Sequence, residues 1–176
     1  NYPVQIAAQK EQIAGLRADR EAVKPILEEK EKDNFSMMIG GKTYTDRKEA
    51  GTAILAACAG LKAVKSNGQI GEFHGFSLNA SYDSFYQTYK LTIKRQCSYQ
   101  IEIGKDVLGN LQRISNALTG IEKRLTEAEQ KMENLLSQLA TAQEEEKKPF
   151  QKEAELTEKK EHLAELNSLQ KKKEKG

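Results

Sequence analysis

Between Leu111 and Ala142 the apolar residues fall at Leu111, Ile114, Leu118, Ile121, Leu125, Ala128, Met132, Leu135, Leu139 and Ala142. The steps alternate between three and four residues. That is the a/d seam of a coiled coil, held for more than four heptads. Glu122, Lys123, Arg124, Glu127, Glu129, Gln130 and Lys131 fill the turns between and make a solvated face of mixed sign. A seam this narrow cannot be buried by one helix alone, so the pattern predicts a partner.

A partner is available in the same chain. Residues 3–33 read as a helix with Ile6, Ile13, Leu16, Val23 and Leu27 on one stripe, interrupted by Arg20. Gly15 and Pro25 weaken it, and Pro25 removes a backbone donor, which predicts a kink near Glu21 or Ala22. At ~1.5 Å per residue the two helices measure roughly 45 and 50 Å, so they match as an antiparallel pair.

Residues 35–104 then form a head carried at one end of a stalk. Phe35–Ile39 and Lys42–Thr45, joined by Gly40-Gly41, read as a hairpin. Thr45 or Asp46 caps a helix, with Glu49 in capping-box register to Asp46. Its buried face is Ala50, Ile54, Ala57, Cys58, Leu61 and Val64, and Ser66-Asn67-Gly68 stops it. Three runs of strict alternation follow, the first (70–82) with a bulge or turn at Gly75. Phe76, Leu78, Ala80 and Tyr82, then Tyr89, Leu91 and Ile93, then Tyr99, Ile101 and Ile103 make a dry face. Ser77, Asn79 and Ser81, then Lys90, Thr92 and Lys94, then Ser98, Gln100 and Glu102 make a wet one. The single helix is expected to cover the dry face.

The expected class is therefore α+β: a small antiparallel sheet with one covering helix, inserted at the end of a long antiparallel helical stalk. The divisions are 1–34 (first stalk helix), 35–105 (head), 106–148 (second stalk helix, with Asn110 as N-cap) and 149–176 (third helix and basic tail). Pro149 marks the last boundary. Leu156, Leu163, Leu166 and Leu169 give the third helix a sparse stripe that could fold back on the stalk, a continuous kinked helix being the alternative.

Composition narrows the function classes. The 176 residues are 38% hydrophobic and 31% charged, without tryptophan, and the net charge of +2 provides no global field for nucleic acid or an anionic membrane. Any basic patch must be local. Cys58 and Cys97 lack a C-x-x-C partner and read as a reduced intracellular pair. Asn34-Phe35-Ser36 and Asn79-Ala80-Ser81 match the glycosylation sequon, which reads as chance here. No apolar run approaches the ~18 residues of a membrane span. The first methionine is Met37, which suggests a piece of a longer protein.

Signals for chemistry are sparse. Gly40-Gly41-Lys42-Thr43 resembles the end of a P-loop, but Ser36 stands where the motif wants its first glycine, and a strand rather than a helix follows. His74 and His162 are far apart and no group has metal-ligand spacing, so no metal, cofactor or catalytic residue is assigned. His74 reads as a turn residue. The suggestive surface is the wet sheet face. There Lys90, Lys94 and Arg95 lie beside Thr92, Asn79 and Gln100, with Phe85 and Tyr86 near the strand ends. Lysines among hydrogen-bonding groups and stacking rings can hold phosphates and bases. A plain solvated face with edge lysines against aggregation is the alternative.

The run from Gly41 through Lys42-Thr43-Tyr44-Thr45-Asp46-Arg47-Lys48-Glu49-Ala50 to Gly51 resembles a segment near the C-terminus of very large proteins of conjugative elements and phages. Ile70-Gly71-Glu72-Phe73-His74-Gly75-Phe76 and the run from Gly109 to Leu118 resemble it too, as do Lys148-Pro149-Phe150 and Leu163-Ala164-Glu165-Leu166-Asn167. Those proteins join an SNF2-type helicase to an adenine-specific DNA methyltransferase. The resemblance implies a parent enzyme acting on DNA in a bacterial cytoplasm, with its ATPase or methyltransferase modules upstream of Asn1. It assigns no catalytic residue to this chain, which has no Walker motif, acidic helicase box or methyltransferase tetrapeptide. The expectation is a non-catalytic accessory module, monomeric, with DNA and the parent's upstream domains as partners. The alternative is a coiled-coil assembly module without DNA contact.

Overall fold

A computed structural model describes residues 1–174, the side chains of 29–31, 148–159 and 167–174 excepted. The protein is α+β. In chain order the elements are α1 (Tyr2–Lys32), β1 (Met37–Ile39), β2 (Lys42–Tyr44), α2 (Arg47–Ala63), β3 (Gly68–Phe73), β4 (Phe76–Asp83), β5 (Thr88–Lys94), β6 (Ser98–Ile103), α3 (Val107–Thr119) and α4 (Ile121–Glu174). They divide into two compact units. One is Ala7–Lys131, and the other joins Asn1–Ile6 to the residues from Met132 onward.

The strands form one antiparallel sheet in the order β2-β1-β3-β4-β5-β6. The glycine pair between β1 and β2 is a tight turn, with φ of +60° at Gly40 and +78° at Gly41, a conformation a side chain would resist. The run from 70 to 82 divides into two strands, because His74 (φ 48°) and Gly75 (φ 85°) make a two-residue turn that pairs Phe73 with Phe76. The two-residue turn puts Phe73 and Phe76, three apart in sequence, on the same dry face, so the alternation changes phase at the break.

The dry face is deeply covered: Phe76, Leu78, Leu91 and Ile93 have no exposed surface. One helix does not cover it alone. α2 packs on the β1–β3–β4 side, α3 packs along β6, and α1 adds Ile26 beside Phe35, Met37 and Phe73. α2 starts as expected, with Asp46 accepting from the Glu49 N–H at 2.9 Å. It ends a residue earlier than its apolar pattern suggests. Val64 is the C-cap and is 70% exposed, because the chain leaves helical geometry before it can turn inward.

Within the Ala7–Lys131 unit α1 runs antiparallel to α3 and the start of α4. Gln9 Nε2 donates to the Ala128 carbonyl at 2.8 Å, Arg17 pairs with Glu129 at 3.3 Å, and Arg20 with Glu122 at 3.6 Å. Leu118, Ile121, Leu125 and Ala128 are buried, each large side chain contributing ~1.5–3 kcal/mol of transfer free energy. The stripe of α1 is Gln9, Ile13, Leu16, Asp19, Val23 and Ile26, whereas Leu27 is 44% exposed. The stripe advances by less than the ~3.6 residues of a helical turn, so it slants across the helix and takes Asp19 and Ile26 inward in place of Arg20 and Leu27.

The seam itself is divided. α3 ends at Thr119, and Gly120 (ψ −6°) separates it from α4. Leu111 and Ile114 of α3 pack into the core with Phe35 and Phe73. Asn110 is not the N-cap: Asp106 holds that position, and Asn110 lies inside α3, 1% exposed. Its amide clasps the preceding loop, accepting from the Gly104 N–H at 2.8 Å and donating to the Gly104 carbonyl at 2.9 Å. Beyond Pro149 no separate third helix begins, because α4 continues to Glu174. A helix can run past a proline at the loss of one backbone bond when the turns on either side hold.

In the second unit Ile6, Met132, Leu135, Leu139 and Ala142 are half-buried, and Leu163 and Leu166 are 59% and 47% exposed. Leu156, Leu169 and the basic tail from Lys171 lie outside the described side chains.

Candidate nucleic-acid interface

Register places the polar residues of the wet face in rows across the strands. Asn79, Thr92 and Gln100 lie directly opposite one another on β4, β5 and β6. One step along, Ser81, Lys90 and Glu102 form a second row, and Ser77, Lys94 and Ser98 a third. Asn79 Nδ2 donates to Ser77 Oγ at 2.9 Å, and Ser77 Oγ donates to the Lys94 carbonyl at 3.2 Å. The amide row is thereby fixed along β4. Five of the six residues singled out from the sequence are brought together in this way.

Arg95 is not with them. It begins the β5–β6 turn, and its guanidinium lies 3.3 Å from the Asp19 carboxylate of α1. Asp19 has no exposed surface, and it accepts four hydrogen bonds. Oδ1 takes Arg95 Nη1 (3.3 Å) and the Gln96 N–H (3.0 Å). Oδ2 takes the Cys97 N–H (2.8 Å) and the Tyr99 hydroxyl (2.7 Å). Burial, and then the hydrogen bond given to Asp19, push the Tyr99 phenol far above its ordinary range. Burial first, and then the Asp19 charge, also raise the Cys97 thiol. Arg124 of α4 closes the other side, over the Tyr99 ring at 4.7 Å and donating to the Ser98 carbonyl at 3.1 Å.

Gly15 lets α1 come this close, since a Cβ there would stand 2.9 Å from Cys97 Sγ. A buried carboxylate with two donors on each oxygen is a structural clasp. The sequence carried one sign of it: Asp19 stands three residues after Leu16 and four before Val23, at a seam position.

The remaining cations on the face are Lys90, 3.7 Å from Asp83, and the exposed Lys94. Glu72 and Glu102 lie on the same face, so its charge is mixed. The β6 edge is occupied as well: Arg113 donates to the Glu102 carbonyl at 2.9 Å, and Arg124 holds Ser98. An edge whose carbonyls are taken by guanidinium groups is a poor template for another strand.

At the far end of β4 the Asp83 Oδ1 accepts from the Phe85 and Tyr86 N–H groups at 3.0 and 3.2 Å. The turn it organises presents both rings to solvent, 83% and 69% exposed, with centroids 4.8 Å apart.

Among the described residues no group of three or more His, Cys, Asp or Glu side chains is placed to hold a metal. Both cysteines are free thiols, and burial pushes Cys58 up to about 11. No helix among the described residues is long and apolar enough to cross a membrane. Searches against protein-family models, curated proteins and solved structures return no match.

Proposed function

We propose that the chain is a non-catalytic accessory module of a DNA-processing protein of the helicase–methyltransferase kind, and that its wet sheet face lies against DNA. The observation that carries the reading is the Asn79–Thr92–Gln100 row, with Lys90 and Lys94 two residues to either side of Thr92 on β5. Amides and hydroxyls on a rigid sheet offer donors and acceptors, and the flanking ammonium groups supply charge for phosphates. The Lys90–Asp83 pair is partly exposed, and such pairs contribute only ~0–1 kcal/mol, so a phosphate can displace it.

Fluorescence anisotropy of the whole chain with labelled duplex DNA, at about 50 and about 200 mM salt, tests the reading. The expected result is binding that weakens with salt, and whose log–log slope falls by roughly 2 in the Lys90→Ala, Lys94→Ala double variant. Absence of binding, or a slope unchanged in the variant, overturns it.

A second reading has its own support. α4 carries Leu136, Leu163 and Leu166 at 48%, 59% and 47% exposure, apolar surface suited to another protein. Light scattering across concentration tests the self-association form, which a constant monomer mass removes.

A further inference from the structure

On the opposite side of the sheet from the lysine row, the last turn of α2 ends above the edge of the dry face and leaves a cleft of ≈ 430 Å³. Its charged lining residues are Lys62 and Lys65, and Ser66, Asn67 and Ser84 add hydroxyls and an amide. Tyr82 forms an aromatic wall, its ring 5.1 Å from that of Tyr89. The Lys62 ammonium sits 4.7 Å from the Tyr82 ring centroid. Among the described residues no acidic side chain lines the cleft. Ser84 belongs both to this cleft and to the β4–β5 turn, so the exposed Phe85 and Tyr86 rings continue from its rim.

Two rings held in place and left in water stabilise nothing visible in the fold: they touch each other, and Asp83 fixes the backbone that carries them. Next to them lies a cleft whose charges are all positive. We propose that this end of the molecule binds single-stranded nucleic acid, with unpaired bases stacked on Phe85 and Tyr86 and the backbone phosphates drawn to Lys62 and Lys65. Base faces stack on any aromatic ring, and ammonium groups recognise phosphate as point charges. A duplex hides its base faces and cannot use the rings. The site shares no residue with the amide and lysine rows of the wet face, and it meets that face where Asp83 of its turn pairs with Lys90.

The test uses the whole chain and a labelled oligothymidylate of about ten nucleotides, against a duplex of equal length and thymidine monophosphate as competitor. The expected result is preference for the single strand, with little competition from the mononucleotide. Phe85→Ala and Tyr86→Ala are each expected to weaken binding about tenfold. Lys62→Ala with Lys65→Ala lowers the salt slope by roughly 1.4. All four residues are exposed or border open solvent, and thermal melting of the variants confirms that they fold.

If Lys90→Ala with Lys94→Ala removes single-strand binding while the cleft and turn variants retain it, the site is on the wet face and this proposal is wrong. Unchanged affinity in the aromatic variants also overturns it and leaves the turn to a protein partner. If the wet-face variants lose only duplex binding, both sites stand.

Discussion

Strand β5 has a turn at each end, and an aspartate organises both. At one end Asp19 accepts the consecutive N–H groups of Gln96 and Cys97, and at the other Asp83 accepts those of Phe85 and Tyr86. Asp19 reaches its turn from α1, 77 and 78 residues away in sequence, whereas Asp83 acts two and three residues along its own chain. Asp19 is wholly buried and also ties in Arg95 and Tyr99. Asp83 is half-buried and its turn stands in water. The same hydrogen-bonding device therefore does two jobs. The remote carboxylate locks a helix onto a sheet, and the local one shapes a loop and pairs with Lys90, leaving the Phe85 and Tyr86 rings in water.

The largest expected effect is that of Asp19→Ala. It leaves two backbone donors, a phenol and a guanidinium without their acceptor, and the expected loss is about 3–5 kcal/mol in urea unfolding. A loss below about 1 kcal/mol would erase the contrast between the turns.

Tyr99→Phe comes next, at about 1.5–3 kcal/mol, the range for a hydrogen bond to a charged group. It also sharpens the pH dependence. The phenol's proton is held more tightly in the folded protein than at its ordinary value of 10.0. Its contribution to stability is therefore complete below that pH and declines as pH rises beyond it. Cys58 behaves the same way from its ordinary 9.0 up to about 11. Unfolding free energies measured between about pH 8 and pH 11 should fall for the parent protein, and fall less for Tyr99→Phe, where the Cys58 and Cys97 thiols still contribute but the phenol does not.

At the other turn Asp83→Ala is expected to cost about 1 kcal/mol or less. Its clear signature is faster amide hydrogen exchange at Phe85 and Tyr86, with the amides of Gln96 and Cys97 unaffected. The smallest effect belongs to Phe85→Ser with Tyr86→Ser, within about 0.5 kcal/mol of the parent. A large destabilisation there would mean the rings are part of the core after all.

Local patterns were legible along the chain. The Gly40-Gly41 turn, the Asp46 cap and the alternation that sorts Leu91 and Ile93 from Thr92 follow from neighbouring residues, and each appears in the fold. Errors arose where distant parts meet. In sequence Arg95 reads as a third cation for the wet face, since nothing nearby competes for it, yet Asp19 takes it. Asn110 reads as a cap because its residue type suits one, yet it clasps Gly104. Lys62, Lys65 and Tyr82 share a cleft that no motif announces, since α2 and β4 meet there only through the topology.

By itself the sequence determined the α+β class, most element types and which faces of β4, β5 and β6 are dry, because periodicity and turn chemistry act over a few residues. Tertiary structure decided which charges are spent inside the protein and which remain exposed. A carboxylate's acceptors saturate with whichever donors the fold brings within 3 Å, and that proximity is written in no single segment.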